Sequence, residues 1–132
     1  MENNQTSRQS GVVKKGWGYE LIWATNDKYC GKIIVFEKAG AKSSMYFHRE
    51  KDKTWFVNNG LFKLRYIDTS TATVYEQDLK EGDVWHSTLL MPHQLICLQD
   101  NSSITEVGTP DNISDNYQIS PGDDQVPELQ EK

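Results

Sequence analysis

This sequence predicts an all-β domain, a sandwich or barrel of seven or more short strands. Three observations carry the prediction. Runs of β-branched and aromatic residues recur along the chain, and turn signals separate them at regular intervals. No window of about 11–18 residues places its apolar positions at helical spacing. With 132 residues there is room for one domain. A chain of this size buries roughly two thirds of its unfolded surface, enough for a core without metals or disulfides.

The elements follow in order. Residues 32–38 (KIIVFEK) are β-branched and aromatic, and Ala39-Gly40 ends them. Residues 45–57 contain Tyr46, Phe47, Trp55, Phe56 and Val57 and stop at Asn58-Asn59-Gly60. Asn-Gly accepts positive φ at both positions, so a hairpin is expected there. Residues 61–67 alternate, with Phe62, Leu64 and Tyr66 on one face and Lys63 and Arg65 on the other. Thr73-Val74-Tyr75 and Val84-Trp85-His86 are further short strands, separated by a turn at Lys80-Glu81-Gly82-Asp83. Pro92 breaks the chain before His93 to Leu98, and residues 103–107 form the last clear strand, closed by Gly108-Thr109-Pro110.

Charge and composition exclude several functions. The formal net charge is −5, and no basic cluster is present, which argues against a nucleic-acid partner. No apolar run approaches the roughly 18 residues of a membrane span, and residues 1–20 lack a signal-peptide core. Cys30 and Cys97 are too few for a disulfide framework and lack a metal-type spacing. A cytoplasmic domain is the expectation. Residues 1–10 are polar and neutral, and residues 121–132 carry −3. Both ends read as solvated tails around a domain over residues 11–120, itself at −2.

Three histidines follow strand-like segments: His48, His86 and His93. Tyr46 and His48 are two apart and share a strand face. Imidazole is the commonest transition-metal ligand, but two histidines alone do not make a tight site. His86 or an acid would have to complete it.

Two stretches resemble the paired motifs of the cupin superfamily, in particular cupins related to mannose-6-phosphate isomerases. Gly40, Tyr46, His48, Lys53 and Gly60 stand in the frame G-x5-H-x-H-x3,4-E-x6-G. Gly82, Thr88, Leu90, His93 and Cys97 stand in the frame G-x5-P-x-G-x2-H-x3-N. Both fit without a gap, 21 residues apart. Trp17-Gly18-Tyr19-Glu20 and Gly31-Lys32-Ile33 are similar to the entry of such domains.

The resemblance implies a jelly-roll barrel, the double-stranded β-helix, and a homodimer paired through sheet edges and terminal strands. It also implies that His48 and His93, with Tyr46 as a weak third, are the candidate ligands of a divalent Zn, Ni, Mn or Fe ion. Two of the four ligand positions depart from the pattern. Tyr46 would have to lose a proton, and Lys53 brings an ammonium with no lone pair. A site with no cofactor at all is equally compatible with the residues.

Lys53, Trp55 and Arg65 are the candidates for ligand contact, with Lys53 as a handle for phosphate or carboxylate. The expected function is binding of a small polar or anionic ligand, a sugar or sugar phosphate first. The alternative is a sugar or sugar-phosphate isomerase or epimerase with Tyr46, His48 and His93 moving protons. An oxygen-using metal enzyme is disfavoured by Lys53.

Overall fold

The computed structural model describes residues 10–126. Eleven strands and one short 3-10 turn build two antiparallel sheets. In chain order the strands are β1 (Gly11–Lys15), β2 (Gly18–Thr25), β3 (Cys30–Phe36), β4 (Met45–Phe47), β5 (Lys53–Asn59) and β6 (Leu61–Asp68). They continue as β7 (Thr73–Lys80), β8 (Val84–Ser87), β9 (His93–Cys97), β10 (Ser102–Gly108) and β11 (Tyr117–Ser120). One sheet runs β1-β2-β3-β10-β5-β8 and the other β11-β4-β9-β6-β7. Among the described residues no helix is long and apolar enough to cross a membrane.

The expected hairpin at Asn58-Asn59-Gly60 is a corner instead. β5 pairs with β10 and β8, whereas β6 pairs with β7 and β9 in the other sheet. Gly60 takes φ +88, but Asn59 does not take the positive φ that a two-residue Asn-Gly hairpin also requires. Asn58 and Asn59, however, spend their side chains on β10, through Ser103, Thr105 and the Asn101 carbonyl. Ser102 sits where a side chain at residue 60 would go, so only glycine lets the chain turn between sheets here.

Between the sheets lies an apolar layer. Trp17 stacks on Phe36 with centroids 4.2 Å apart, and Phe36 meets Phe62 edge-on at 5.4 Å. Ile34, Val57, Leu64, Leu79, Leu95, Cys97 and Ile104 complete it. Burying side chains of this size contributes roughly 1.5–3 kcal/mol each.

The acidic segment does not begin as a solvated tail at residue 121. The Asp124 carboxylate accepts from Trp17 Nε1 at 2.6 Å and from the Ser44 amide at 3.0 Å. Asp123 exchanges bonds with the backbone of Lys42 at 2.7 and 2.9 Å. Unpaired amides at Lys42 and Ser44 needed acceptors, and these two carboxylates supply them. The chain is therefore tied to the barrel through Asp124. Residues 1–9 and 127–132, the rest of the expected tails, lie outside the described residues.

Candidate functional site

Moving two residues along four inward strand faces changes the core from apolar to ionic. β3 goes from Phe36 and Ile34 to Lys32, and β10 from Ile104 to Glu106. β5 goes from Val57 and Trp55 to Lys53, and β9 from Leu95 to His93. All of these side chains are buried. Glu106 is directly opposite Lys32 on one side and Trp55 on the other. The polar half encloses a cavity of about 50 Å³, space for about four water-sized groups. Tyr46, His48, Lys53 and Glu106 are among its walls.

Three buried lysines face three buried carboxylates there. Lys32 Nζ lies 2.6 Å from Asp111, 3.3 Å from Glu20 and 3.8 Å from Glu106. Lys51 Nζ reaches Asp111 at 3.3 Å and Glu106 at 3.5 Å, and donates to the Thr109 carbonyl at 2.8 Å. Lys53 is served least, with one carboxylate, Glu106, at 3.9 Å and the His48 Nε2 atom at 3.3 Å. Its ammonium also lies 4.8 Å from the Trp55 ring centre and 5.3 Å from that of Tyr46.

Protonation follows from this arrangement. Burial would raise the Glu106 carboxyl, but Lys32, Lys53 and Lys51 outweigh it and hold it at about 2. Burial lowers Lys53 to about 8 despite Glu106. Burial, then the charge of Lys53, pushes His48 down to about 4 and His93 well below its usual range. Burial raises the Tyr46 hydroxyl strongly. At neutral pH the walls thus present a neutral imidazole, a protonated phenol and a cation.

A second set of bonds aims His48. Its Nδ1 lies 3.1 Å from the Asp115 carbonyl, an acceptor, so the proton sits on Nδ1 and Nε2 keeps a lone pair toward Lys53. The Asp115 carboxylate accepts from the amides of Arg49, Glu50 and Lys51 at 2.9–3.1 Å, which fixes the loop after His48.

The structure brings together five of the six candidate residues named from sequence, Tyr46, His48, Lys53, Trp55 and His93. Ring centres of Tyr46, His48 and His93 are 5.2–5.6 Å apart, with Lys53 beside them. His93 is not among the residues lining the cavity, although its ring centre lies 5.2 Å from that of Tyr46 and 5.6 Å from that of His48. Its Nδ1 lies 2.9 Å from the Met91 carbonyl, and Nε2 has no hydrogen-bond partner among the described residues. Trp55 is buried beside Lys53 and donates to Glu106 at 2.8 Å. Arg65 points away from the cavity and pairs with Glu76 on the outside of the barrel at 3.0 Å. His86 is likewise outside, against Asp52.

Solved structures share this architecture. KdgF from Halomonas sp. superposes with a TM-score of 0.62 at 18% identity, over 73% of this chain and 81% of that one. Oxalate decarboxylase from Lactobacillus farciminis gives 0.72 at 15% identity, over 84% of this chain and 34% of that one. The Bacillus subtilis oxalate decarboxylase gives 0.70 at 16%, over 87% and 34%. This chain has the cupin fold. It spans about a third of the length of those decarboxylases. No protein-family model matches the chain, and no curated protein sequence does.

The donor set of this cupin barrel does not fit a transition metal. Among the described residues no group of three or more His, Cys, Asp or Glu side chains is placed to hold one. The Lys53 ammonium takes the lone pair of His48 that a metal would need, and Tyr46 keeps its proton. The Glu106 carboxylate is already shared among three lysines and Trp55.

Reading the sequence for motifs missed Glu20, Lys32, Lys51, Glu106 and Asp111. A signal existed for Lys32 and Glu106. Both fall on the inward parity of otherwise apolar strands, where a charge must find a partner.

Proposed function

We propose that this cupin barrel binds a small anionic ligand through Lys53, without a metal. One observation carries the reading: of the three buried lysines, Lys53 alone has no carboxylate within 3.8 Å, its nearest being Glu106 at 3.9 Å. Its remaining donor capacity is directed at a cavity walled by His48 and Tyr46. A space of about 50 Å³ suits a carboxylate or a single phosphate group. A sugar acid or sugar phosphate would enter by its anionic end. Similarity to oxalate decarboxylases, one of them in a formate complex, supports a carboxylate first. The Bacillus subtilis enzyme is described with Mn(II) centres, and the ammonium of Lys53 would supply the positive charge here instead.

A second reading is metal-free proton transfer, as in a sugar isomerase or epimerase. The wall pairs a neutral imidazole at His48 with a protonated phenol at Tyr46, a base and an acid at neutral pH. An oxyanion that draws Lys53 toward itself frees the His48 lone pair for that role.

Thermal unfolding with formate, oxalate, glycolate and phosphate, against glucose and glycerol, tests the binding reading. Ligand at about 100 times its Kd adds roughly 2.7 kcal/mol, a shift of several degrees. Anions should raise Tm in the native chain and not in Lys53→Met. Equal responses to anions and neutral sugars would reject it.

A further inference from the structure

A second recess lies apart from the ionic cavity, where the β6–β7 and β8–β9 loops meet. It is a cleft of about 470 Å³, within the roughly 300–1,000 Å³ of small-molecule pockets. Residues 66–69, 75 and 88–91 line it, and none of them is a wall of the cavity around Lys53.

Two tyrosines give the cleft a flat wall. Tyr66 and Tyr75 stand opposite each other on β6 and β7, stacked with centroids 5.4 Å apart and planes 24° from parallel. Trp85, 6.0 Å from Tyr66, backs the stack from inside the barrel. β7 is the last strand of its sheet, so no further strand covers Tyr75, which is 44% exposed. Polar groups stand at the rim. Ser70 donates its hydroxyl and its amide to one oxygen of Asp68, at 2.7 and 3.0 Å, and holds that carboxyl below its usual range. A carboxylate accepts at about four sites, so Asp68 can take further donors. Thr69 and Thr88 add hydroxyls.

Leu90 borders the cleft in a strained form. It has φ +64, a left-handed conformation that leucine adopts only at a cost, and it occupies a glycine position of the second motif frame. Packing does not offset that cost, because the side chain is 53% exposed. Its amide donates to the His48 carbonyl at 2.8 Å, which fixes the loop. Strain kept at an exposed position calls for a use outside the fold.

We infer that this cleft binds the ring of a neutral pyranoside, its C–H face on Tyr75, its hydroxyls at Asp68, and Leu90 as the lip. The site is separate from the one that takes an anion at Lys53. Three features select a saccharide. The tyrosines are nearly parallel and offer one flat face, whereas a quaternary ammonium is held by rings turned around it. The Asp68 carboxylate accepts hydroxyls and repels phosphates and carboxylates. The threonine hydroxyls suit a ligand rich in donors and acceptors, which an aryl ring is not.

NMR titration of the full, isotope-labelled chain with methyl β-glucopyranoside tests this, with choline and adenosine as rival ligands and fold checked by circular dichroism. Amides of residues 66–75 and 88–91 should shift saturably, with a Kd on the order of 1 mM. Binding this weak leaves Tm nearly unmoved by millimolar glucose. Tyr75→Ala and Asp68→Ala should each weaken binding about tenfold or more, while Arg65→Gln, outside the barrel, leaves it unchanged. Should Tyr75→Ala not fold, Tyr75→Leu keeps the apolar bulk and should lose the ring contact equally. Leu90→Gly should weaken binding severalfold while Tm holds or rises, because glycine accepts φ +64 without strain. No saturable shift at the cleft, native affinity in the Tyr75 variant, or tighter binding of choline or adenosine overturns the inference. So does a Leu90→Gly chain that loses Tm and keeps its affinity.

Discussion

The Nζ atom of Lys53 lies 3.3 Å from Nε2 of His48, so a buried cation sits against an imidazole. Burial, and then the ammonium's charge, holds the imidazole neutral, and the imidazole lone pair gives the ammonium a partner that carries no charge. This cation is therefore less neutralised than Lys32 or Lys51.

Carboxylate binding should weaken with alkali. Lys53 titrates at about 8 in the folded protein, and a bound anion favours its charged form, so the loss sets in above that pH. Beyond it, affinity falls about tenfold per pH unit as the charge is removed. Formate and oxalate stay ionised over this range, so calorimetric titration from pH 7 to 10 isolates the lysine. A flat profile would remove Lys53 from the binding site.

Acid should destabilise the fold. His48 has a folded value of about 4 against about 6.5 unfolded, and His93 shifts in the same direction. Between those values the unfolded chain binds more protons, so stability falls as pH drops from about 6.5 toward 4. His48 alone contributes on the order of 3 kcal/mol across that window. Urea denaturation at pH 7 and pH 5 measures it, and His48→Gln should flatten the slope.

Glu106→Gln should be among the costliest single changes. It leaves the buried Lys32, Lys51 and Lys53 with one fewer negative charge, and breaking a buried pair costs about 3–5 kcal/mol. Arg65→Gln, which breaks an ion pair on the barrel exterior, should cost under about 1 kcal/mol. Comparable losses in denaturant would contradict the hub role of Glu106.

Metal binding should appear only when the donor set is rebuilt. Tyr46→His with Lys53→Glu supplies three imidazoles and a carboxylate, a set that takes Zn²⁺, Ni²⁺, Mn²⁺ or Fe²⁺. Affinity should order as double variant, Lys53→Glu, Tyr46→His, native chain, because the lysine change also reverses a charge. Calorimetry on protein purified without a histidine tag gives the order, and native binding as tight as the double variant's would refute the donor-set argument.

Asp124→Ala should loosen the docked segment. It strands Trp17 Nε1 and the Ser44 amide, a loss of about 1–3 kcal/mol for each donor left buried and unpaired. Hydrogen exchange at Ser44 should rise with it. Unchanged exchange would mean that Asp123 alone holds the segment.

Periodicity and turn chemistry were enough for the sequence to determine the all-β class and the shared face of Phe62, Leu64 and Tyr66, and the motif spacing marked His48 and His93. These properties are local, since a strand alternates faces whatever it packs against. What crosses that face is not local. Lys32 meets Asp111, 79 positions away, and Trp17 meets Asp124, 107 positions away. Whether a buried charge is a penalty or a site depends on which carboxylates other strands bring within about 4 Å, and no repeat in the sequence encodes that. The corner at Gly60 shows the same limit. Asn-Gly made the positive φ of Gly60 legible but not the corner, where β10 takes up the asparagine side chains. Tertiary packing likewise sent Arg65 outside the barrel and seated Lys53 against His48 inside it.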